Sequence, residues 1–187
     1  MPEPVTLRSD RLTIRPLLET DLAGVFALYD NVDVGRFCKP VRWPSMDYAH
    51  GWYARIEQRV AEGSTLQFVI ELAQQQTLIG TCLIFQIDEE NRRAEVGYAL
   101  GRDFWGRGYA SEALQALIEH GFGTLGLHRL EAVIDPRNTA SAKVLTRHGF
   151  RLEGQQRERW IESDGSFGDS GLYGLLRQEW TGPAAMR

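Results

Sequence analysis

The sequence predicts an α/β sandwich whose central sheet is mixed and mostly antiparallel. Three observations carry the prediction. Three strand-like runs, Leu66 to Leu72, Thr77 to Asp88 and Arg93 to Leu100, follow one another across polar turns short enough for an antiparallel meander. After Gly101 the period becomes helical: Ala110, Ala113, Leu114, Leu117, Ile118, Gly121, Phe122 and Leu125 make one long apolar stripe. The remaining elements complete the order β-α-α-β-β-β-α-β-α-β-β, which no doubly wound parallel sheet follows.

The elements are justified in turn. Leu12 and Ile14 alternate with Arg11, Thr13 and Arg15, a half-buried first strand closed by Pro16. Thr20 or Asp21 caps a helix that places Leu22, Val25, Phe26 and Tyr29 on one face. A second helix follows Ser45, with Ala49, Trp52, Tyr53, Ile56 and Val60 at helical spacing, and ends near Gly63. An aromatic, proline-marked loop, Phe37 to Pro44, joins the two. Beyond the meander and the striped helix come a strand from Arg129 to Asp135 and a short helix from about Asn138 to His148. Gly149 is placed as that helix's left-handed cap. Two last strands flank the Asp164-Gly165 turn.

Composition narrows the function. An apolar fraction of 43% and a charged fraction of 25% are those of an ordinary globular chain, and 187 residues fit a single domain spanning 1–187. The longest apolar runs, such as Leu83 to Phe85, are too short for a bilayer, and Met1-Pro-Glu-Pro lacks the features of a secretion signal. A cytoplasmic location is therefore expected. Cys38 and Cys82 stand far apart with no Cys/His spacing, so neither a metal site nor a disulfide framework is expected. His50, His120, His128 and His148 are scattered and read as structural or surface residues. A net charge of -4 without a basic tract argues against direct DNA binding and suits a cationic acceptor such as an amine.

The chemistry concentrates between Glu95 and Leu114, where a strand runs through a glycine-bearing turn into the striped helix. Gly106 and Gly108 have no β-carbon to block close approach to the turn's outward backbone amides, and the helix dipole adds positive potential where those amides converge. On the turn alone, a plain tight connection competes with a pyrophosphate site. Two familiar nucleotide loops fail on spacing. Gly108 is followed by Tyr109 and not by Lys-Ser/Thr, and Ser111 stands where a dinucleotide fingerprint needs Gly or Ala.

Trp105-Gly-Arg-Gly-Tyr-Ala resembles the acyl-CoA pyrophosphate loop of the GNAT N-acetyltransferases, in the form common among RimJ/RimL-like members. Asn138-Thr-Ala-Ser-Ala-Lys-Val-Leu-Thr-Arg-His-Gly-Phe resembles the family's Asn-x-x-Ser helix. Arg8-Ser-Asp-Arg-Leu-Thr-Ile-Arg-Pro-Leu and Gly171-Leu-Tyr-Gly-Leu-Leu resemble its opening and last strand. The resemblance implies a GNAT-like sheet in which the strand ending at Leu100 splays from the Arg129 strand. It implies acetyl-CoA as cosubstrate, with pantetheine against Gly97 to Gly101, Ala99 and Leu100 included, and pyrophosphate wrapped by the backbone nitrogens of Trp105, Gly106, Arg107, Gly108, Tyr109, Ala110 and Ser111. An amide of the splayed strand would hold the thioester oxygen as charge develops there.

The acceptor must attack as a neutral amine, so a proton acceptor is needed. Glu95, on the strand face opposite Val96 and Tyr98, is the candidate base, with Glu158 and Glu162 as stand-ins; an ordinary strand charge is the competing reading. The family's usual thiolate partner is a tyrosine, but Leu145 stands in its place here. The resemblance instead assigns that role to Ser141, which otherwise would simply bond back to its own helix. Asn138 reads both as a helix cap and as a pantetheine contact. Trp43, in a loop between Arg42 and Pro44, is the expected acceptor contact, whereas Trp52 and Tyr53 are expected in the core. The acceptor is a protein N-terminus or a small-molecule amine, and the resemblance adds a homodimer. A module that binds acyl-CoA without transferring the acetyl group is the alternative.

Overall fold

The computed structural model describes residues 5–38, 42–162 and 164–182. Within them one sheet is built from β1 (Leu7–Arg8), β2 (Leu12–Pro16), β3 (Thr65–Leu72), β4 (Thr77–Asp88), β5 (Arg93–Leu100), β6 (Arg129–Ile134), β7 (Arg151–Ile161) and β8 (Phe167–Leu176). The order across the sheet is β1-β2-β3-β4-β5-β6-β8-β7, and β5 with β6 is the parallel neighbour pair in an otherwise antiparallel arrangement. The mixed sheet and flanking helices follow the expected class.

Strand alternation assigns the two faces. Leu12, Phe68, Ile84 and Val96 turn to one side, where α4 (Tyr109–Glu119) and α5 (Thr139–Arg147) bury Leu114, Leu117, Ile118 and Leu145 against them. Val69 turns the other way and meets α1 (Leu22–Tyr29) and α3 (Met46–Ala61) through Leu22, Val25 and Ala49. Each fully buried Leu, Ile or Phe contributes about 1.5–3 kcal/mol relative to exposure, so this two-sided core holds the sheet rigid beneath the site. Among the described residues, no helix is long and apolar enough to cross a membrane.

Three local features differ from the expectation. A one-turn helix, α2 (Val32–Gly35), stands between α1 and the predicted Phe37 to Pro44 loop, started by Asn31 Oδ1 accepting from the amides of Asp33 and Val34 at 2.9 and 3.4 Å. Residues 39–41 of that loop lie outside the described residues. The striped helix is regular only to Glu119, after which His120–Thr124 widen into a π turn that closes with Leu125 N–H donating to the His120 carbonyl at 3.0 Å. Gly121 and Gly123 weaken the helical preference there, while Phe122 stays fully buried, so packing keeps the stripe on its face. The short β1 pairs Leu7 with Ile14, a pairing too brief to show as alternation.

One register feature positions everything below. β5 and β6 pair only at Arg93 with Arg129, Ala94 with Leu130 and Glu95 with Glu131. Beyond that point β5 stays with β4 as far as Leu100 opposite Gly80, and β6 stays with β8 as far as Ile134 opposite Gly171. The two strands part, and the sheet opens between them.

Candidate functional site

The opening is the mouth of a cleft of about 600 Å³. Its walls are the parted stretches Val96–Leu100 and Ala132–Ile134, the turn before α4, the first turns of α5, the α2 region and the end of β7.

The turn has the form an anion needs. Gly106 and Gly108 sit at φ +72° and +83°, a left-handed conformation that side chains with a β-carbon rarely adopt. Gly108 caps α4 without a side-chain bond, so the first-turn amides of Tyr109, Ala110 and Ser111 have no acceptor within the helix. A β-carbon built at Gly106 meets nothing within 4 Å, which leaves open space above those amides. A pyrophosphate fits this cradle.

The turn is braced from three sides. Arg11 donates through Nε to Glu112 at 2.8 Å and through Nη1 to the Arg107 carbonyl at 3.1 Å, and its guanidinium lies 4.6 Å from the centre of the Tyr109 ring. Ser9 Oγ donates to Glu112 at 2.6 Å, drawing the start of the chain to α4. Trp105 folds back, its indole N–H donating to the Leu100 carbonyl at 2.7 Å under the Arg102 guanidinium. This gives Trp105 a structural purpose at the head of the loop. It also corrects the expectation that backbone groups are free as far as Gly101: the Leu100 carbonyl is taken by Trp105, and the Gly101 amide donates to the Ile79 carbonyl at 2.8 Å. Of Gly97–Gly101, the Leu100 carbonyl and the Gly101 amide are thus not free for an extended ligand.

Glu95 is the last residue of β5 paired with β6, and its side chain shares a face with Gly97 and Ala99. Burial pushes its carboxyl up to about 7. The neighbouring Glu131 carboxylate pushes in the same direction, against a Val133 amide and the Arg159 charge, which favour the ionised form. Gln86 Nε2 donates to it at 3.1 Å. A half-buried carboxyl titrating near neutrality is suited to proton transfer, unlike an ordinary strand charge. Glu95 is not itself in the cleft wall, but the Val133 amide that bonds it is part of a wall residue.

Across the opening, on the other face, Asn138 Oδ1 caps α5 by accepting from the Ser141 amide at 3.1 Å. Ser141 Oγ does not bond back to its own helix; it lies 2.9 Å from the Tyr98 hydroxyl. The sequence places Tyr98 with Val96 on the strand face opposite Glu95 and assigns it no part in the site. Its ring does pack on the core, yet its hydroxyl lines the cleft, and a polar tip on the face of a strand losing its partner was the available signal. Leu145, where the family's tyrosine was sought, is completely buried. Ser111 Oγ lies 2.7 Å from His148 Nε2, tying α5 to the start of α4. His148 and His120 are buried, with burial lowering the pKa of each, in keeping with structural roles.

Trp43 is a correction. It is 5% exposed and stacks on Tyr29 at 4.8 Å between centroids, with Trp52 at 5.0 Å and Tyr48 edge-on at 5.4 Å. The loop folds its indole into the α1/α3 core, because burying so large a ring outweighs its place between Arg42 and Pro44. Phe37 and Trp160 instead line the outer end of the cleft, along with Glu162, which accepts from Arg137 at 2.7 Å. Glu158, the other stand-in base, is exposed at φ +53° in a β7 bulge between the Gln156–Ser170 and Trp160–Gly168 pairs. Among the described residues, no group of His, Cys, Asp and Glu is arranged to hold a metal ion.

Comparison with known proteins agrees with the geometry. Residues 11–151 match the model of the acetyltransferase (GNAT) domain. The chain is 36% identical to the uncharacterized N-acetyltransferase p20 of Bacillus licheniformis, over 95% of this chain and 99% of that protein. It is 31% identical to the ribosomal protein uS5-alanine N-acetyltransferase of Escherichia coli, over 95% and 93%. Among solved structures, Mycobacterium smegmatis RimJ in complex with CoA-disulfide superposes with a TM-score of 0.85 at 27% identity, covering 95% of this chain and 90% of that one. The alternative of a module without transfer gains no support from these relatives. A sheet opened between its parallel strands, a glycine turn at a helix start and whole-length similarity lead to one conclusion: the chain is an N-acetyltransferase of the GNAT family.

Proposed function

We propose that this chain, acting as a single cytoplasmic domain, moves the acetyl group of acetyl-CoA to a primary amine by direct attack in a ternary complex. The single observation that carries the reading is the parting of β5 from β6 immediately after Glu95, with Ser141 on the far side of the gap. Acetyl-CoA supplies an activated thioester. The Gly106–Ser111 turn holds its pyrophosphate on backbone amides, and Gly97–Ala99 hold the pantetheine arm as an added strand would. Asn138 borders that arm.

Glu95 takes the proton that the amine must lose, directly or through a water. The amine nitrogen bonds to the carbonyl carbon, the carbon–sulfur bond breaks, and an amide of the parted strand steadies the oxygen while charge resides on it. Ser141 donates a hydrogen bond to the departing thiolate. Because Glu95 and Ser141 stand on opposite faces of the sheet, the amine and the sulfur approach from opposite sides of the gap. The acceptor enters past Phe37 and Trp160. Similarity to a uS5-alanine acetyltransferase favours a protein N-terminus as that acceptor.

Calorimetric titration with acetyl-CoA, followed by free-thiol release with a panel of amines and N-terminal peptides, tests the reading. Micromolar binding, lost when Gly108→Glu puts bulk and negative charge in the turn, is expected, as is thiol release with at least one amine. A folded wild-type protein that binds no acetyl-CoA sinks it.

A further inference from the structure

Among the described residues, the Tyr98 hydroxyl is the side-chain group that meets Ser141 Oγ, and the two come from different elements, β5 and α5, that both line the cleft. Ser141 is fixed from below: the Asn138 cap holds its amide, so its Cβ is set by the first turn of α5. A serine hydroxyl has a single hydrogen to donate and lone pairs to accept with. Which way the 2.9 Å bond runs therefore decides what Ser141 offers the cleft. If Ser141 donated to Tyr98, its hydrogen would be spent on the protein, and the hydrogen left free at this half-buried wall would be the phenol's. With the phenol donating instead, the hydrogen left free at the cleft is the one on Ser141 Oγ.

We propose that Tyr98 is a positioning residue for Ser141: its phenol donates to Ser141 Oγ and so turns the serine hydrogen toward the sulfur that leaves the acetyl group. The inference rests on the reading of Ser141 as the partner of that sulfur. Tyr98 is not the acid. Burial pushes its phenol up to about 12, while a free thiol titrates near 8.5, so outright proton transfer from the phenol to the thiolate runs uphill. The phenol instead polarises the serine O–H, since hydrogen bonds in a chain strengthen one another. The proton that finally neutralises the thiolate comes from solvent after product formation, and no bond to Tyr98 forms or breaks.

The test needs no acceptor. Free CoA is bound to the protein, and the ionisation of its thiol is followed by thiolate absorbance as pH is raised. In Tyr98→Phe, which keeps the ring and loses only the hydroxyl, the bound thiol is expected to ionise with a roughly tenfold smaller constant than in wild type, the effect of one lost charge-assisted hydrogen bond. Ser141→Ala should show at least that loss. Adding Tyr98→Phe to Ser141→Ala should change nothing further, and kcat with acetyl-CoA and any competent amine should fall in parallel while the acetyl-CoA KM holds.

If Ser141→Ala weakens thiol ionisation but Tyr98→Phe matches wild type, or if the two losses simply add, the Tyr98 inference alone is overturned. If Ser141→Ala leaves the titration unmoved, or CoA does not bind, the underlying reading falls and takes this inference with it. A merely structural role for Tyr98 would lower the unfolding temperature and leave the thiol titration untouched, an outcome that also rejects the proposal.

Discussion

The same two strands behave in opposite ways over six residues. Where β5 and β6 pair, their charges find partners: Arg93 meets Glu131 across the strands at 3.2 Å, and Arg129 bonds Glu131 on its own strand and Glu153 on β7. Where they part, the side chains shrink to Gly97 and Ala99 and the backbone edge is left open on the cleft. Paired strands satisfy their own hydrogen bonds; parted strands keep donors and acceptors for a ligand. Glu95 stands at the boundary. Burial, joined by the like-charged Glu131 with which it pairs, pushes this carboxyl up to about 7.

The boundary is best broken at Glu95. In Glu95→Gln, kcat/KM should fall about a hundredfold or more, and the acidic limb of the pH profile should vanish. In the wild type that limb rises through about pH 7, because only the ionised carboxyl can accept a proton. A Gln variant that keeps both rate and limb would place the base elsewhere.

A smaller effect appears in stability. The folded pKa of about 7 lies above the ordinary 4.5, so between those values the folded protein holds a proton that the unfolded chain has released. Stability should therefore decline as pH rises through that window, by about 1–2 kcal/mol once solvent screening of this half-buried group is allowed for. Glu95→Gln should flatten the decline and unfold at higher temperature than wild type at pH 8. Denaturant unfolding at pH 5 and pH 8 measures both, and identical pH dependence in the two proteins would contradict the boundary's electrostatics.

The gentlest change sharpens the comparison from the paired side. Glu131→Gln removes the like charge opposite Glu95 while leaving the parted edge intact. The acidic limb should move to lower pH with the maximal rate nearly unchanged. A limb that stays where it was would mean that Glu131 does not set the titration.

Legibility in the sequence followed how local each feature is. The glycine turn, the Asn138 cap and the element order depend on residues a few positions apart, and the chain spells them out. Trp43 was misplaced because its loop position says nothing of the Tyr29 and Trp52 rings that enclose it. Tyr98 escaped because its meaning arises only when α5, more than forty positions later, brings Ser141 against it. The raised Glu95 pKa depends first on burial and then on Glu131 across the strand pairing, and the Leu100 carbonyl is withdrawn by a side chain folding back from Trp105. Tertiary contacts, most of them between separated segments, supplied these.

The Arg11 brace has a consequence for how the protein comes of age. Residues 9–11 clamp a loop that is synthesised about a hundred positions later, so the glycine turn takes its final shape only after the amino-terminal strand has docked. A tag, a cleavage or an early truncation near Ser9 will thus be felt first as poorer nucleotide retention, in a molecule whose core and secondary structure still look whole.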